Sequence, residues 1–266
     1  VRIEATSLGK AHTDISYETY MIKRYDIENA IFNFLRFHDD KTIIIFCSTR
    51  NAVTHISSRL LNRGFSVVSL SGALNQSERF KALQSIKNGR CKICVATDVA
   101  ARGIDLVNLD IVIHAELPQN SEILIHRSGR TGRAGNKGRS ILFCSPGERR
   151  RYERLVHSAK VKPVINKFLS QQEIERKDNE KIINYLSKSQ KKSSGELKLA
   201  KELLTQFSSE DIAIALIENF KGKLPPIEEV ESFDEEKVNQ MTSDRRKKKR
   251  EGKRKRGPFS KKKQKS

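Results

Sequence analysis

No apolar run in this sequence approaches the length that spans a bilayer, and no secretory leader is visible at its start. The first residue is Val1 rather than an initiator methionine, so a targeting segment upstream stays open. Cysteine is scarce, with Cys47, Cys91, Cys94 and Cys144 the whole supply. Cys91-Lys92-Ile93-Cys94 has the spacing of half a zinc site, but no second CxxC or histidine pair completes it. Reduced, mostly buried thiols of a cytoplasmic protein are the expectation, with no metal held by this chain and no membrane partner. A G-x-x-x-x-G-K-[ST] phosphate loop is also missing. Apolar residues make up only 36% against 32% charged, so a core cannot run through all 266 residues.

Positive charge is what the chain has in excess, at a formal +20. Residues 245–266 hold 14 basic and 1 acidic residue, so the excess is mainly a tail behind a mildly basic body. Nucleic acid is the first partner for such a balance and an anionic membrane surface the second. Phe259 is the tail's sole aromatic, which argues against base stacking and for sequence-independent attraction to phosphates. A solvated solubilising tail and a localisation signal are the other readings.

Strand and helix signals alternate through the first part of the chain. Residues 1–17 read as a polar connector and 20–25 as a short edge strand. Ile27, Ile31, Phe34 and Leu35 fit one face of a helix. The unbroken apolar run 42–47 marks a strand covered on both faces. Further strands are expected at 66–70, 92–97 and 110–114, with a last one at 140–143. Helices are expected between them: one through Val53, Ile56, Leu60 and Leu61, stopped by Gly64; one over 77–88 burying Phe80, Leu83 and Ile86; one from Ser121; and one over 148–158. The alternation predicts an α/β fold, a doubly wound parallel sheet with helices on both faces, and ligands at the carboxyl ends of the strands. Beyond residue 160 it stops. Helices follow at 171–186 and on either side of Ser208-Ser209-Glu210-Asp211, which has a capping signal, and their apolar stripe must pack on the main domain or on a second copy. Pro225-Pro226 and the acidic run 228–236 read as the start of a disordered linker and basic tail.

Within this frame stands His126-Arg127-Ser128-Gly129-Arg130-Thr131-Gly132-Arg133. Its arginines are spaced i, i+3, i+6, which puts them on one side if the segment begins as a helix. Guanidinium is permanently charged and forked, and suits phosphate oxygens. Upstream lie Thr97-Asp98-Val99-Ala100-Ala101-Arg102-Gly103-Ile104-Asp105 and Ile43-Ile44-Ile45-Phe46-Cys47-Ser48-Thr49-Arg50. In this order the three strings resemble the motifs of the second RecA-like domain of DEAD-box RNA helicases, over about residues 1–160.

The resemblance implies a RecA-like domain at 19–160 after an interdomain linker at 1–18. A helical extension at 161–226, with a candidate homodimer surface in 196–226, and a disordered linker and tail at 227–266 would follow. It implies ATP with Mg2+ as cofactor, RNA as ligand, and closure of two RecA-like domains around both. Arg130 and Arg133 match the arginines that approach the γ-phosphate. His126 and Arg127 match positions linking the domain interface to the nucleotide, and Asp105 matches the acidic residue on the ribose. Thr49, Arg50, Gly72, Gln76, Arg79, Thr97 and Gly103 match RNA-side positions, and Asp98 is expected to pair with Arg102. Leu124 replaces a frequent tyrosine, Ser128 a branched apolar residue and Glu116 an aspartate, a pattern leaning towards bacterial members. The family carries its phosphate loop and Asp-Glu-Ala-Asp motif on its first domain. The chain is therefore read as the second half, expected to be inactive alone. A non-catalytic RNA-binding module and a DNA-directed motor of the same superfamily are the alternatives.

Overall fold

Ile43–Cys47 is apolar at every position, and because strand side chains alternate between faces, both faces of this segment need cover. It forms the interior strand β2 of an eight-stranded sheet in a computed structural model that describes residues 14–72, 74–101, 109–133, 135–188, 194–234, 236–238 and 240. In chain order the elements are β1 (Ile15–Ile22), α1 (Ile27–Phe37), β2, α2 (Arg50–Asn62), β3 (Val67–Leu70), α3 (Gln76–Lys87), β4 (Ile93–Thr97) and α4 (Asp98–Ala101). Then come β5 (Ile111–His114), α5 (Ser121–Ser128), β6 (Gly138–Cys144), α6 (Arg149–Ser158), β7 (Val164–Asn166), α7 (Gln171–Lys188), α8 (Ser194–Gln206), α9 (Ser209–Lys221) and β8 (Ser232–Phe233). The sheet order is β3-β4-β2-β5-β6-β1-β7, all parallel, with β8 antiparallel on β1.

Alternation sorts the core into two layers. Ile43, Ile45, Val95, Ile113 and Phe143 pack with α1 and α2 on one face. On the other, Ile44, Phe46, Cys94, Ala96 and Val112 meet α3 and α4, while Leu142 and Cys144 meet α5 and α6. All four cysteines are buried, and burial pushes the thiols of Cys47 and Cys144 up to about 12.

Four expectations are corrected. First, the connector ends and the domain begins earlier, since β1 starts at Ile15 and pairs with β6 along its length rather than forming an edge at 20–25. Its polar residues resembled a connector because their partners are distant: Ser16 Oγ donates to Gly138 O at 3.3 Å, and Arg139 donates to Glu18 through Nε at 2.7 Å and Nη2 at 2.9 Å. Second, β6 is not the last strand, as β7 and β8 both add to β1. Third, α3 buries only Ile86 fully and leaves Phe80 61% exposed, because it covers the short, half-buried edge strand β3. Fourth, residues 227–234 and 236–238 are a strap rather than a disordered linker. Asn33 brackets the backbone of Glu228, Arg63 donates to the Glu228 carboxylate at 2.6 Å, and Lys23 pairs with Glu231. Val238 ends the strap inside the α5/α6 core layer. The acidic run signalled solvent only until fixed cations were found opposite it. Residues 1–13 and 241–266, which carry most of the predicted linker and the basic tail, lie outside the described residues.

The extension docks through α7, which buries Ile174, Asp178 and Ile182. Arg36 of α1 donates to Asp178 Oδ2 through Nε at 3.0 Å and Nη2 at 2.7 Å, and Lys181 Nζ lies 3.2 Å from Asp178 Oδ1. α9 meets α7 where Phe220 and Tyr185 lie 6.3 Å apart, and it opens with a Ser208/Asp211 capping box. α8 and α9 bury no residue among those described, so of the extension's three helices it is α7 that packs on the main domain.

Removing one partner of a buried ion pair strands the other charge. Asp178→Ala is therefore expected to destabilise the chain by about 3–5 kcal/mol in urea unfolding, whereas Arg36→Met with Asp178→Leu should lose much less.

Candidate nucleotide and RNA interface

The predicted RNA-side residues cluster where β2, β3 and β4 end. Thr49 caps α2, its Oγ1 accepting from Ala52 N–H at 3.1 Å, and its own hydroxyl proton is left to donate. Arg50 opens α2 and lies against Gly72, where a Cβ would stand 3.0 Å from Arg50 Nη2. Gly72 thus makes room for an exposed guanidinium on the neighbouring turn. Gln76 is exposed at the start of α3, behind an Asn75/Glu78 capping box. Arg79 points inward: its Nη2 donates to Ala100 O at 2.9 Å and holds the end of α4. Thr97 closes β4 and is buried, with Oγ1 accepting from Ala100 N–H at 3.4 Å. Gly103, Asp105 and Arg102 lie outside the described residues.

The arginine stretch does not continue as one helix. Asn120 caps α5 through Ile123 N–H at 2.9 Å, and the helix ends at Ser128 with Gly129 as its C-cap. Only Arg127 is therefore helical, and the three arginines do not share one side. Arg127 is 3% exposed and grips Asp98 through Nε and Nη2, both at 2.7 Å, with its guanidinium 5.3 Å from the Phe46 ring centre. Asp98 thus has Arg127 as a partner, and the expected pairing with Arg102 lies outside the described residues. His126 is exposed on the same helix. Arg130 is half-buried, and Arg133 is exposed with Nε donating to Gly129 O at 2.8 Å. Burial, and then the charge of Arg133, push the Arg130 guanidinium below its usual range. The two guanidinium groups thus lie close enough to repel on a partly covered turn.

Close backbone packing holds the turn. Thr131 Oγ1 donates to Leu109 O at 2.5 Å, and Gly138 N–H to Asp14 O at 2.9 Å. Gly132 has φ +67°, and a Cβ there would stand 2.7 Å from Ile15 Cγ1. A Cβ on Gly138 would collide with Gly132 N and Thr131 Oγ1. The far side of the turn is so pinned to the amino ends of β5, β6 and β1. Arg127 ties its near side to the carboxyl end of β4.

Beneath the turn runs a buried polar chain. Ser128 Oγ donates to Leu124 O at 2.7 Å and lies 2.8 Å from Ser140 Oγ, which lies 3.1 Å from His114 Nε2. His114 is fully buried, and burial and then the charge of Arg127 hold its imidazole well below the ordinary value of 6.5, so it stays neutral. The sequence reading passed over His114 and Ser140. The available signal was a histidine and a serine in otherwise apolar strands, level with Ser128, the departure from a branched apolar residue.

Gly135 has φ +79° with nothing within 4 Å of an added Cβ, so it isolates the conformational term. Gly135→Ala should cost about 1–2 kcal/mol and Gly132→Ala clearly more, measured by urea unfolding. A pH dependence also follows. His38 is lowered to about 4, mainly by burial and then by the charge of Arg139, and His114 is lowered too. The unfolded chain protonates first, so the stability from both is complete above the ordinary 6.5 and declines as pH falls below it. The urea midpoint should drop between pH 7 and about 5, and His38→Gln should flatten that drop.

Residues 26–135 match the model of the helicase conserved C-terminal domain. The ATP-dependent RNA helicase DeaD of Buchnera aphidicola is 33% identical over 238 residues, covering 88% of this chain and 39% of that protein. The ATP-dependent RNA helicase DbpA of Bacillus subtilis is 35% identical over 148 residues, 56% of this chain and 31% of that protein. The crystal structure of a DEAD box protein from Methanococcus jannaschii shares 33% identity with a TM-score of 0.53, over 59% of this chain and 42% of that one. The chain thus spans between 31% and 39% of the length of these curated relatives. On the sheet order and these likenesses together, residues 26–135 form a helicase conserved C-terminal domain homologous to that of DEAD-box RNA helicases.

Proposed function

We propose that this chain works as the second half of an ATP-dependent RNA helicase, closing with a first RecA-like domain around one ATP and one RNA strand. The observation that carries the reading is the Arg127–Asp98 pair, which joins the arginine turn to the strand end bearing Thr97. Movement at the nucleotide side is thereby coupled to the RNA side through a rigid, forked contact. Arg130 and Arg133 serve as arginine fingers. Charge builds on the oxygens of a transferring phosphoryl group, and a positioned guanidinium there contributes roughly 10³ to 10⁵ in rate. Asp105 takes the ribose hydroxyls and His126 the domain interface. The Mg2+ that accompanies ATP is held by the partner domain.

Thr49, Arg50, Gln76, Thr97 and Gly103 contact RNA through its backbone and 2′-hydroxyls, so a polymer is recognised rather than a sequence. Arg79 supports that surface from behind through Ala100. The basic tail adds salt-sensitive affinity. A second copy of the chain covers the exposed Leu199 and Leu204 of α8, Ile214 of α9 and Phe207 between them. The assembly is cytoplasmic.

By itself the purified chain should show no ATP turnover in a coupled assay, and measurable turnover would refute the assignment of the phosphate loop to the first domain. In the complete protein, Arg130→Ala should lower kcat by about 10³ or more while nucleotide affinity changes little. Equal losses in both would place Arg130 in the ground-state site instead.

A further inference from the structure

Outside the tail, positive charge is concentrated in one place that none of the helicase motifs covers. Residues 149–162, which include α6, hold six basic residues and one acidic residue. Some of that charge is structural. Arg149 pairs with Glu153 at 2.8 Å, and Arg151 donates through Nη2 to Leu117 O at 3.0 Å and Pro118 O at 3.3 Å, securing the loop between β5 and α5. The rest faces outward. Tyr152, Leu155 and Ala159 bury the inner side of α6 in the core layer shared with α5, so Arg150, Arg154 and His157 take the solvent side, followed by exposed Lys160 and Lys162.

The first turn of α6 carries three arginines at the positive end of the helix dipole, where the N-cap Glu148, 3.9 Å from Arg151, is the acidic residue that answers them. Two features of this strip work against the stability of the domain, and both have the same sign. Arg150 and Arg154 stand at i and i+4, where like charges repel. Lys160 takes φ 54°, the left-handed position after a helix where glycine fits with least strain. A polyanion laid along the strip relieves the first and makes use of the second. The strip also begins in the right place. α6 follows the carboxyl end of β6, and Arg151 reaches the residues that follow β5, on the rim where Thr49, Arg50 and Thr97 lie.

We infer that the outer face of α6, centred on Arg150 and Arg154 and continued by Lys160 and Lys162, is a phosphate-binding strip for the stretch of RNA that flanks the segment held at the rim. It rests on the RNA-binding reading above. It binds backbone charge without reading bases, because the strip offers no aromatic platform on its exposed face.

The test uses the whole chain and a fluorescently labelled single-stranded RNA of mixed sequence, with affinity measured against salt. Arg150→Glu with Arg154→Glu is compared with Lys198→Glu and Lys201→Glu on exposed α8, which changes net charge equally. Two phosphate contacts correspond to about 1.4 in the slope of log K against log salt, and the α6 variant should lose that much, with roughly tenfold weaker binding at low salt. The α8 variant should keep the slope. Equal slopes for the two variants overturn the strip while leaving RNA binding intact. An unaltered chain that shows no salt-dependent RNA binding removes the RNA reading and the strip with it. An RNA slope unchanged in the α6 variant, with binding to anionic phospholipid vesicles lost, assigns the strip to a membrane surface and also overturns it.

Discussion

Arg127 meets Asp98 through two parallel hydrogen bonds of 2.7 Å, with one partner almost wholly out of solvent. A guanidinium in that position is tolerable only because a carboxylate holds its fork and an aromatic ring, Phe46, covers its face. The contact joins α5 to the start of α4 over the face of the sheet on which Phe46 lies. The arginine turn hangs from this point at one end. At the other it is pinned by Thr131, Gly132 and Gly138 against the strand openings. The turn is therefore a strut between two ends of the sheet, and the positions of Arg130 and Arg133 follow from both anchors.

The buried chain His114–Ser140–Ser128 sits under that strut and raises a separate design question. Hydroxyls and a neutral imidazole occupy positions where an apolar side chain would fill the space without needing partners. Their reward is direction: each hydrogen bond fixes an angle between β5, β6 and α5 that dispersion alone would leave softer. Neutrality of His114 matters here, since a second buried cation beside Arg127 would repel it. The first part of the strap, residues 227–231, follows the same logic on the opposite face. Its carboxylates and backbone groups are satisfied by Asn33, Arg63 and Lys23, and it brings the chain leading to the basic tail back onto β1.

Some of this was legible without coordinates because local pattern and global fold agree. The apolar run at β2 demanded cover on both faces and received it, and the capping signal at Ser208 lies at a helix start. The arginine string stood out because glycine and arginine rarely interleave without a backbone reason, and Gly132 has one. Other parts were misread for equally local reasons. β1 looked like a connector because Ser16 and Glu18 find their partners more than a hundred residues away. Phe80 looked buried because helical spacing says which side chains share a face, not whether anything lies opposite.

Sequence alone determined the alternation of strands and helices, the charge distribution and the order of the phosphate-directed strings, since these depend on periodicities and residue chemistries within a few positions of each other. Tertiary structure alone decided which arginine would be buried. Arg127, Arg130 and Arg133 are chemically identical and evenly spaced, and they differ only in what the fold places beside them: a carboxylate and a ring for Arg127, a half-covered turn for Arg130, the Gly129 carbonyl at an exposed position for Arg133. Burial and partner choice are sums over residues distant in the chain, and no window along the sequence contains both halves of such a contact.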